Sequence, residues 1–377
     1  MNRSRFGVYL GRWFGIRFYL DYSWFFVAAI VIYTLAVKFF PEVLPGQTRG
    51  VYITMGAFAA ALFFFSILLH ELGHSLVSQR CGIPVPRITL LFIGGIAEIS
   101  REPDTARAEL KIALGGPAVS AVLAVFYGVL AFVLQRAHLS ALAFVFNWLA
   151  TVNVSLIVFN AIPGYPLDGG RVLRALLWAR SGNLRRATYI TTRIGVGFSW
   201  VLMAAGVALL FGAYWNGFVF LLIGMFLKSA AESGYMHTVY HEVLAGVRVK
   251  DIMSRDPVTI PATMPVNLAV DEFFLTNHHV AFPVCDEDRE FRGLLRLEYL
   301  KELPREKWPY ISAADLAAES GSLALSVAAD ESAARAMRRL LVAGQGRLAV
   351  LEKNKVLGMV TRHDILQIIK VHTELEP

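Results

Sequence analysis

The sequence has few charged residues and almost no cysteine. Only 17% of its 377 residues are Asp, Glu, Lys or Arg, whereas 56% are hydrophobic. This composition lies outside the usual range of soluble globular chains and indicates that much of the protein lies in lipid. Two cysteines, Cys81 and Cys285, are too few for a disulfide framework and suit a reducing cytosol. No signal-peptide cleavage site precedes Trp24, so we interpret the basic N-terminal segment as an amphipathic lead-in on the membrane surface.

The few charges are unevenly distributed. Up to about Lys228 the chain is dominated by long uncharged runs, and beyond it charged residues recur every few positions. A helix needs about 20 apolar residues to cross a bilayer. Six segments are candidate spans, the first and last being short: Trp24 to Val37, Val51 to Leu76, Leu110 to Leu134, Leu139 to Ile162, Ile194 to Phe211 and Trp215 to Leu227. The fold class expected is an α-helical polytopic membrane protein followed by a soluble α/β part.

Basic residues predict the orientation in the membrane. Arginines are concentrated before the first span, after the second and after the fourth, whereas the opposite loops carry few basic residues. By the positive-inside rule we expect both termini to be cytoplasmic, in a multi-pass protein of the cell membrane. These inner loops also explain the net charge of +7, so no nucleic-acid partner is expected.

The second candidate span carries three ionisable residues near its basic end. His70, Glu71 and His74 form the pattern H-E-x-x-H, which in a helix places both imidazoles on one face, within reach of one metal ion. Imidazole is a good zinc ligand, and the carboxylate can act as a general base. Since ionisable groups in lipid are costly, they mark a functional site. The alternative is that they merely lie near the interface or pair with Arg80.

A catalytic zinc of this type needs a third protein ligand, and the segment NAIPGYPLDGG offers one. Pro163 and Pro166 interrupt any helix here, and Asp168 follows them. The arginine pattern puts Asp168 on the same side of the membrane as the two histidines. The alternative is that Asp168 is only the N-cap of the next helix.

These motifs, with GGPAVS in the third span, resemble the site-2 protease family of intramembrane zinc metalloproteases. The resemblance implies one zinc ion per chain, held by His70, His74 and Asp168, with Glu71 as the general base. It also implies that Asn160 helps to hold the substrate, although an asparagine that bonds to a neighbouring helix is the alternative. Substrates would be single-span membrane proteins, cut near the cytoplasmic face in regulated intramembrane proteolysis.

The segment IPVPRITLLFIGGIAEISRE, between the second and third spans, contains two prolines and the pair Gly94 and Gly95. It is too interrupted for a helix and predicts two short strands around the glycines. The family has a membrane-embedded β-hairpin at this place. An exposed strand edge would hold an unwound substrate, and a purely structural hairpin is the alternative.

The soluble part contains two similar units of strands and helices, which begin near Val249 and Ile311. The pair resembles tandem CBS domains, which commonly bind adenine nucleotides such as ATP. Thr361 and Asp364 in GMVTRHD match the positions where that family holds a ribose.

The first of these two CBS repeats has Arg296 and Tyr299 at the corresponding places, so at most one conventional nucleotide site is expected. A structural role, or a dimerising role that would make a homodimer, stays open for the CBS pair. The predicted organisation has four parts: a transmembrane metalloprotease domain over 1–230, a linker over 231–248, and CBS domains over 249–310 and 311–377. A CBS-regulated transporter or channel is the alternative for the whole chain. It would not explain why H-E-x-x-H and the L-D-G that contains Asp168 are predicted on the same side of the membrane.

Overall fold

The computed structural model describes residues 7–91, 94–98, 101–318, 325–342 and 346–375. It divides into two compact units, Met1–Tyr235 and Met236–Pro377. Each unit has hydrophobic cores of its own.

The first unit is dominated by helices long and apolar enough to cross a membrane. The described residues contain six of them, which confirms the predicted number of spans: Tyr22–Val43, Arg49–Arg80, Ala106–Arg136, Ser140–Asn160, Leu184–Phe211 and Gly217–Tyr240. The first combines α1 (Tyr22–Thr34), a π-helical turn and α2 (Phe40–Val43). The others correspond to α3 (Arg49–Arg80), α4 (Ala106–Arg136), α5 (Ser140–Asn160), α7 (Leu184–Phe211) and α8 (Gly217–Gly246), and the shorter α6 (Asp168–Ser181) precedes α7.

Large apolar side chains cover the outside of these helices. Phe26, Phe132 and Val158 are each more than half exposed. Water would make such surfaces unfavourable, whereas the acyl chains of a bilayer cover them at no cost. The chain is therefore a multi-pass membrane protein.

A four-stranded sheet also belongs to the first unit, in the order β1-β2-β3-β4. Its strands are β1 (Val8–Trp13), β2 (Ile16–Leu20), β3 (Arg87–Leu91) and β4 (Gly94–Glu98). The two strands predicted around Gly94 are present as β3 and β4, which pair antiparallel. The N-terminal lead-in takes a form that its amphipathic pattern did not indicate: it forms β1 and β2, and β2 pairs parallel with β3. Phe18 is buried there against Ile88.

The second unit contains two small sheets flanked by helices. One sheet has the order β6 (Ile260–Pro261), β7 (Ala281–Cys285), β8 (Phe291–Arg296); the other has β5 (Ser254–Arg255), β11 (Lys355–Thr361), β10 (Arg347–Glu352), β9 (Ser326–Ala328). The helices are α9 (Val266–Ala269), α10 (Leu275–Asn277), α11 (Leu297–Glu302), α12 (Ala313–Ala318), α13 (Ala333–Val342) and α14 (Arg362–Leu375). Buried Ala333, Ala336 and Leu340 recur on one face of α13 at helical spacing.

Packing in the second unit crosses the predicted boundary between residues 310 and 311. Strand β5, from the first repeat, pairs with β11 of the second, and Val249 is buried in the same core as Leu340. In exchange, Ala313 and Leu316 of α12 pack in the core that contains Phe282 of the first repeat. The two sequence repeats therefore exchange their N-terminal segments.

Candidate metal centre

Three side chains predicted as metal ligands meet in the first unit. His70 and His74 lie one turn apart on α3, and Asp168 is the first residue of α6. The two Nε2 atoms are 3.2 Å apart, and Asp168 Oδ2 lies 3.3 Å from Nε2 of His70 and 3.2 Å from Nε2 of His74. All three residues are at most 9% exposed. Among the described residues they form a group whose ligand atoms could hold one metal ion.

The spacing of these three atoms fits zinc. Zinc binds imidazole nitrogen and carboxylate oxygen at about 2.0–2.2 Å in tetrahedral geometry, so adjacent ligand atoms are about 3.3–3.5 Å apart. The observed separations of 3.2–3.3 Å are close to that value. Three protein ligands also leave the fourth tetrahedral position for water or substrate, as catalytic zinc sites do.

Hydrogen bonds from α4 orient both imidazoles. His74 Nδ1 lies 2.7 Å from the carbonyl oxygen of Ile112. A carbonyl can only accept, so Nδ1 carries the proton and Nε2 presents its lone pair toward Asp168. The Gly116 amide approaches the same nitrogen at 3.3 Å, which is the longer of the two contacts. His70 Nδ1 is held in turn by Ser120 Oγ at 2.9 Å.

Glycines let α4 approach these histidines closely. A Cβ on Gly73 would lie 2.5 Å from the carbonyl oxygen of Gly115, so α3 and α4 meet backbone to backbone there. A Cβ on Gly116 would lie 2.3 Å from Nε2 of His74 and 2.6 Å from Nε2 of His70. Any larger residue at position 116 would therefore occupy the space that faces both ligand nitrogens.

Glu71 faces the sheet. It is half-buried on α3, between the two histidines, and a Cβ on Gly95 would lie 2.3 Å from Glu71 Cγ. Glycine in β4 therefore lets this strand pass directly beside the predicted general base. Strand β4 is at the end of the sheet order among the described strands, so its outer edge has no strand neighbour there.

Asn160 is the last residue of α5, eight positions before Asp168. The loop between them includes Tyr165, whose amide donates to the carbonyl oxygen of Thr191 on α7 at 3.1 Å. The predicted contact of Asn160 with substrate stays a prediction.

Sequence reasoning missed several residues around the three ligands. Ser120 lies in the GGPAVS motif, yet no spacing rule connects a serine in one helix with a histidine in another. The carbonyl of Ile112 carries no sequence signal at all. Arg171 and Arg174 in α6, and Glu109 in α4, could have been noticed as ionisable groups next to membrane spans.

The predicted ribose-binding pair of the second unit is bonded to itself. The hydroxyl and the amide of Thr361 both donate to Asp364 Oδ2 at 2.8 Å, at the start of α14. The Asp364 amide donates back to Thr361 Oγ1 at 3.2 Å. This is the reciprocal pattern of a helix-capping box, which needs no ligand. In the first repeat Arg296 donates to Tyr299 Oη at 3.0 Å, so the corresponding positions are occupied by different chemistry.

Two surface clefts lie on the second unit. One, of about 340 Å³, is lined by Asp251, Ile252, Asp364 and Gln367 among others. The other, of about 370 Å³, contains Lys250 and Asp330, which bond at 2.7 Å. The hydrogen bond and the charge of Lys250 hold the pKa of Asp330 below its ordinary value.

Comparison with known proteins matches two families. Peptidase family M50 matches residues 58–143 and 133–202, and the CBS domain matches 249–305 and 324–371. A candidate zinc metalloprotease of Mycobacterium tuberculosis, Rip3, is 33% identical over 98% of this chain and 94% of its own. Zinc metalloprotease MJ0392 of Methanocaldococcus jannaschii is 28% identical over 82% of this chain and 84% of its own.

Among solved structures, the site-2 protease from Methanocaldococcus jannaschii is similar to 60% of this chain and 94% of its own, with 26% identity and a TM-score of 0.41. The transporter or channel alternative is not favoured, because the family match in the membrane part and the named relatives are peptidases.

Proposed function

This chain belongs to peptidase family M50 and is a membrane zinc metalloprotease with CBS domains, and from that premise we propose that it cleaves peptide bonds within the membrane. Its substrates would be single-span membrane proteins, cut near the cytoplasmic face so that a cytosolic fragment is released. The observation that carries the proposal is the convergence of His70, His74 and Asp168. Both histidines, with Glu71 between them, lie on a helix that is apolar enough to span a bilayer.

The chemistry requires a metal and a base. His70, His74 and Asp168 would hold zinc, one ion per chain. When bound, zinc activates water and polarises the scissile carbonyl. Glu71 accepts the proton of the attacking water, whose oxygen bonds to the carbonyl carbon. As the carbon–nitrogen bond breaks, Glu71 passes that proton to the leaving amine, so the peptide bond and one water become a carboxyl and an amine group.

The substrate must be unwound before water can reach its backbone. We propose that it pairs with the outer edge of β4, which passes beside Glu71 through Gly95. Strand addition supplies backbone hydrogen bonds to an extended peptide without reading its side chains. Asn160, at the end of α5, would contact the substrate from a helix other than the α3 that carries Glu71. The membrane position of β3 and β4 is part of this proposal.

We place both termini in the cytoplasm and the protein in the cell membrane. Support comes from the basic residues that flank the metal-site end of the spans, such as Arg80 at the end of α3 and Arg171 in α6. The zinc would accordingly lie toward the cytoplasmic face, where the released fragment appears.

A Glu71→Gln variant tests the enzymatic proposal. Purified wild type in liposomes should contain zinc and cleave a single-span reporter, and the variant should keep zinc while losing cleavage. Glu302→Gln, at an exposed position of α11, is the matched control and should cleave normally. Cleavage by Glu71→Gln, or wild type without zinc, would refute the mechanism. Mass spectrometry of cell membranes with either form would then identify proteins that accumulate uncut.

For the CBS pair we propose a regulatory role through an adenine nucleotide such as ATP. The cleft beside Asp364 is within the usual range for small-ligand sites, about 300–1,000 Å³. Carboxylates of Asp251 and Asp364 suit ribose hydroxyls better than phosphate, since they are hydrogen-bond acceptors of negative charge. We expect one site per chain, in the second repeat, and a homodimer formed through the CBS domains is the further proposal.

Binding of ATP and AMP to the full-length protein in detergent tests this role. Wild type should bind one nucleotide per chain and cleave at a different rate when it is bound. Asp364→Asn should weaken binding, whereas Asp271→Asn, at an exposed position of the first repeat, should not. Cleavage that is the same with and without nucleotide would leave the CBS pair a structural or dimerising module.

A further inference from the structure

A carboxylate outside the ligand group is fully buried in the membrane unit. Glu109, in the first turn of α4, is 0% exposed. Its Oε1 accepts hydrogen bonds from Arg171 Nε at 3.1 Å and from Arg174 Nη2 at 2.7 Å, both on α6. A charge is buried only where it is paired, because desolvation is costly. The position of α6 against α4 is therefore fixed by a three-membered ion cluster.

The cluster lies on the same face of α6 as the predicted metal ligand. Asp168, Arg171 and Arg174 follow one another at intervals of three residues, so they form one stripe along the helix. Arg174 is 5% exposed, and its guanidinium lies 5.4 Å from the centre of the Tyr165 ring. Glu109 and Tyr165 therefore both contact the first two turns of α6, and Asp168 begins the first of these turns.

Helix α4 supplies none of the predicted metal ligands, but it bonds to both histidines and to α6, the helix that carries Asp168. Ile112 accepts from His74, Ser120 bonds His70, and Glu109 binds the arginines of α6. Ile112 lies one turn after Glu109, so the point that orients His74 and the point that anchors α6 are adjacent on α4. Removing the Glu109 carboxylate would loosen α6, which carries Asp168, without removing a hydrogen bond of either histidine.

We propose that Glu109 is a positioning residue of the metal centre, acting on Asp168 through Arg171 and Arg174. The inference rests on the proposed function in that His70, His74 and Asp168 bind zinc. Partners that orient metal ligands typically contribute about 10–100-fold to metal affinity. Removing the charge of Glu109 should therefore cost about that much, through Asp168 alone.

Zinc affinity of the full-length protein in detergent, measured by competition with a chelator, tests the proposal without any proteolysis. Glu109→Gln keeps the shape of the side chain and removes its charge, and should bind zinc about tenfold or more weakly than wild type. Lys111→Gln removes a charge from an exposed position of the same helix and should bind zinc like wild type. Equal affinity for Glu109→Gln and Lys111→Gln would overturn the proposal.

A double-mutant cycle separates positioning from a general loss of structure. In an Asp168→Asn background the added Glu109→Gln change should lower zinc affinity little further, because its effect passes through Asp168. An equal fold loss in both backgrounds would mean that Glu109 only stabilises the fold, and would refute the positioning role. If Glu109→Gln does not fold, Arg171→Gln tests the same link, since Arg174 still pairs with Glu109.

These results also separate this inference from the proposed function. Wild type that binds no zinc would remove the metalloprotease mechanism itself. Wild type that binds zinc, together with a Glu109→Gln variant that binds it equally well, would remove only the role of Glu109.

Discussion

Two polar clusters of this molecule were both predicted from sequence motifs to bind a ligand, yet they differ in chemistry. In the membrane unit, Asp168 Oδ2 faces the Nε2 atoms of His70 and His74, and the Nδ1 proton of His74 is already committed to a carbonyl. In the second unit, Thr361 donates both its hydroxyl and its amide to Asp364. The first cluster brings together electron-pair donors, and the second matches donors with acceptors.

This difference favours metal binding by the first cluster and helix capping by the second. Atoms that point lone pairs at one another at 3.2–3.3 Å repel unless a cation lies between them. A proton on one nitrogen would relieve one contact, whereas a divalent ion satisfies all three. Thr361 and Asp364 satisfy each other, so a nucleotide would have to compete with their mutual bonds. The contacts within each cluster therefore support the predicted zinc binding more strongly than the predicted nucleotide binding.

Removal of a ligand should produce the largest effect and the sharpest contrast between the clusters. We expect His74→Ala to lower zinc affinity by more than the roughly 100-fold upper value for outer partners, and to abolish cleavage, because one of three protein ligands is lost. Asp364→Ala should leave zinc affinity unchanged. Chelator competition and reporter cleavage measure both, and an active His74→Ala protein would show that the cluster is not the catalytic centre.

Filling the space beside the ligands should have the next largest effect. Gly116→Ala would put a Cβ 2.3 Å from His74 Nε2, and we expect about a 100-fold loss of zinc affinity, since both imidazoles must move. Gly128→Ala is the matched control on the same helix, because its Cβ would meet Ala150 at an ordinary 4.0 Å.

Gly128→Ala should keep full zinc affinity and leave stability unchanged or raised by up to about 1 kcal/mol. Similar zinc affinities for the two alanine variants would show that α4 does not confine the site.

A change at Ser120 should have a smaller effect. Ser120→Ala removes the partner of His70 Nδ1 and frees the imidazole to rotate. We expect about a tenfold loss in zinc affinity. Ser155→Ala, which removes an exposed hydroxyl bonded only within α5, serves as its control. An unchanged affinity in Ser120→Ala would mean that packing alone orients His70.

The smallest effect is expected in the second unit. Thr361→Ala breaks the capping box of α14, and we expect the amides at the start of that helix to exchange hydrogen as if destabilised by about 1 kcal/mol. Hydrogen exchange of the full-length protein measures this. Unchanged exchange together with lost nucleotide binding would reverse the comparison, since the pair would then serve a ligand and not the helix.

Sequence alone predicted much of the first cluster. H-E-x-x-H requires only helical periodicity, and lipid makes helix the expected conformation, so His70 and His74 follow from local rules. The six spans follow from composition and are confirmed. Asp168 was predicted as a third ligand from its proline-broken context and from charge topology, and the structure places it beside the histidines although it lies 94 residues after His74.

Sequence could not predict contacts between distant segments. The pairing of β2 with β3 joins Arg17 to Arg87, and no local pattern in the N-terminal lead-in indicated it. The exchange of β5 and α12 between the two repeats is equally invisible, because each segment has the same local character wherever it packs.

What the sequence by itself determined is therefore the chemistry available: a helix with two candidate metal ligands, a candidate third ligand, six spans and two CBS repeats. What only the tertiary structure decided is the arrangement of the surroundings, in which one helix without ligands holds His74 by the Ile112 carbonyl, His70 by Ser120, and α6 by Glu109. The physical reason is that ligand identity is a property of side chains, whereas orientation depends on backbone groups and buried charges that meet only after the helices have packed.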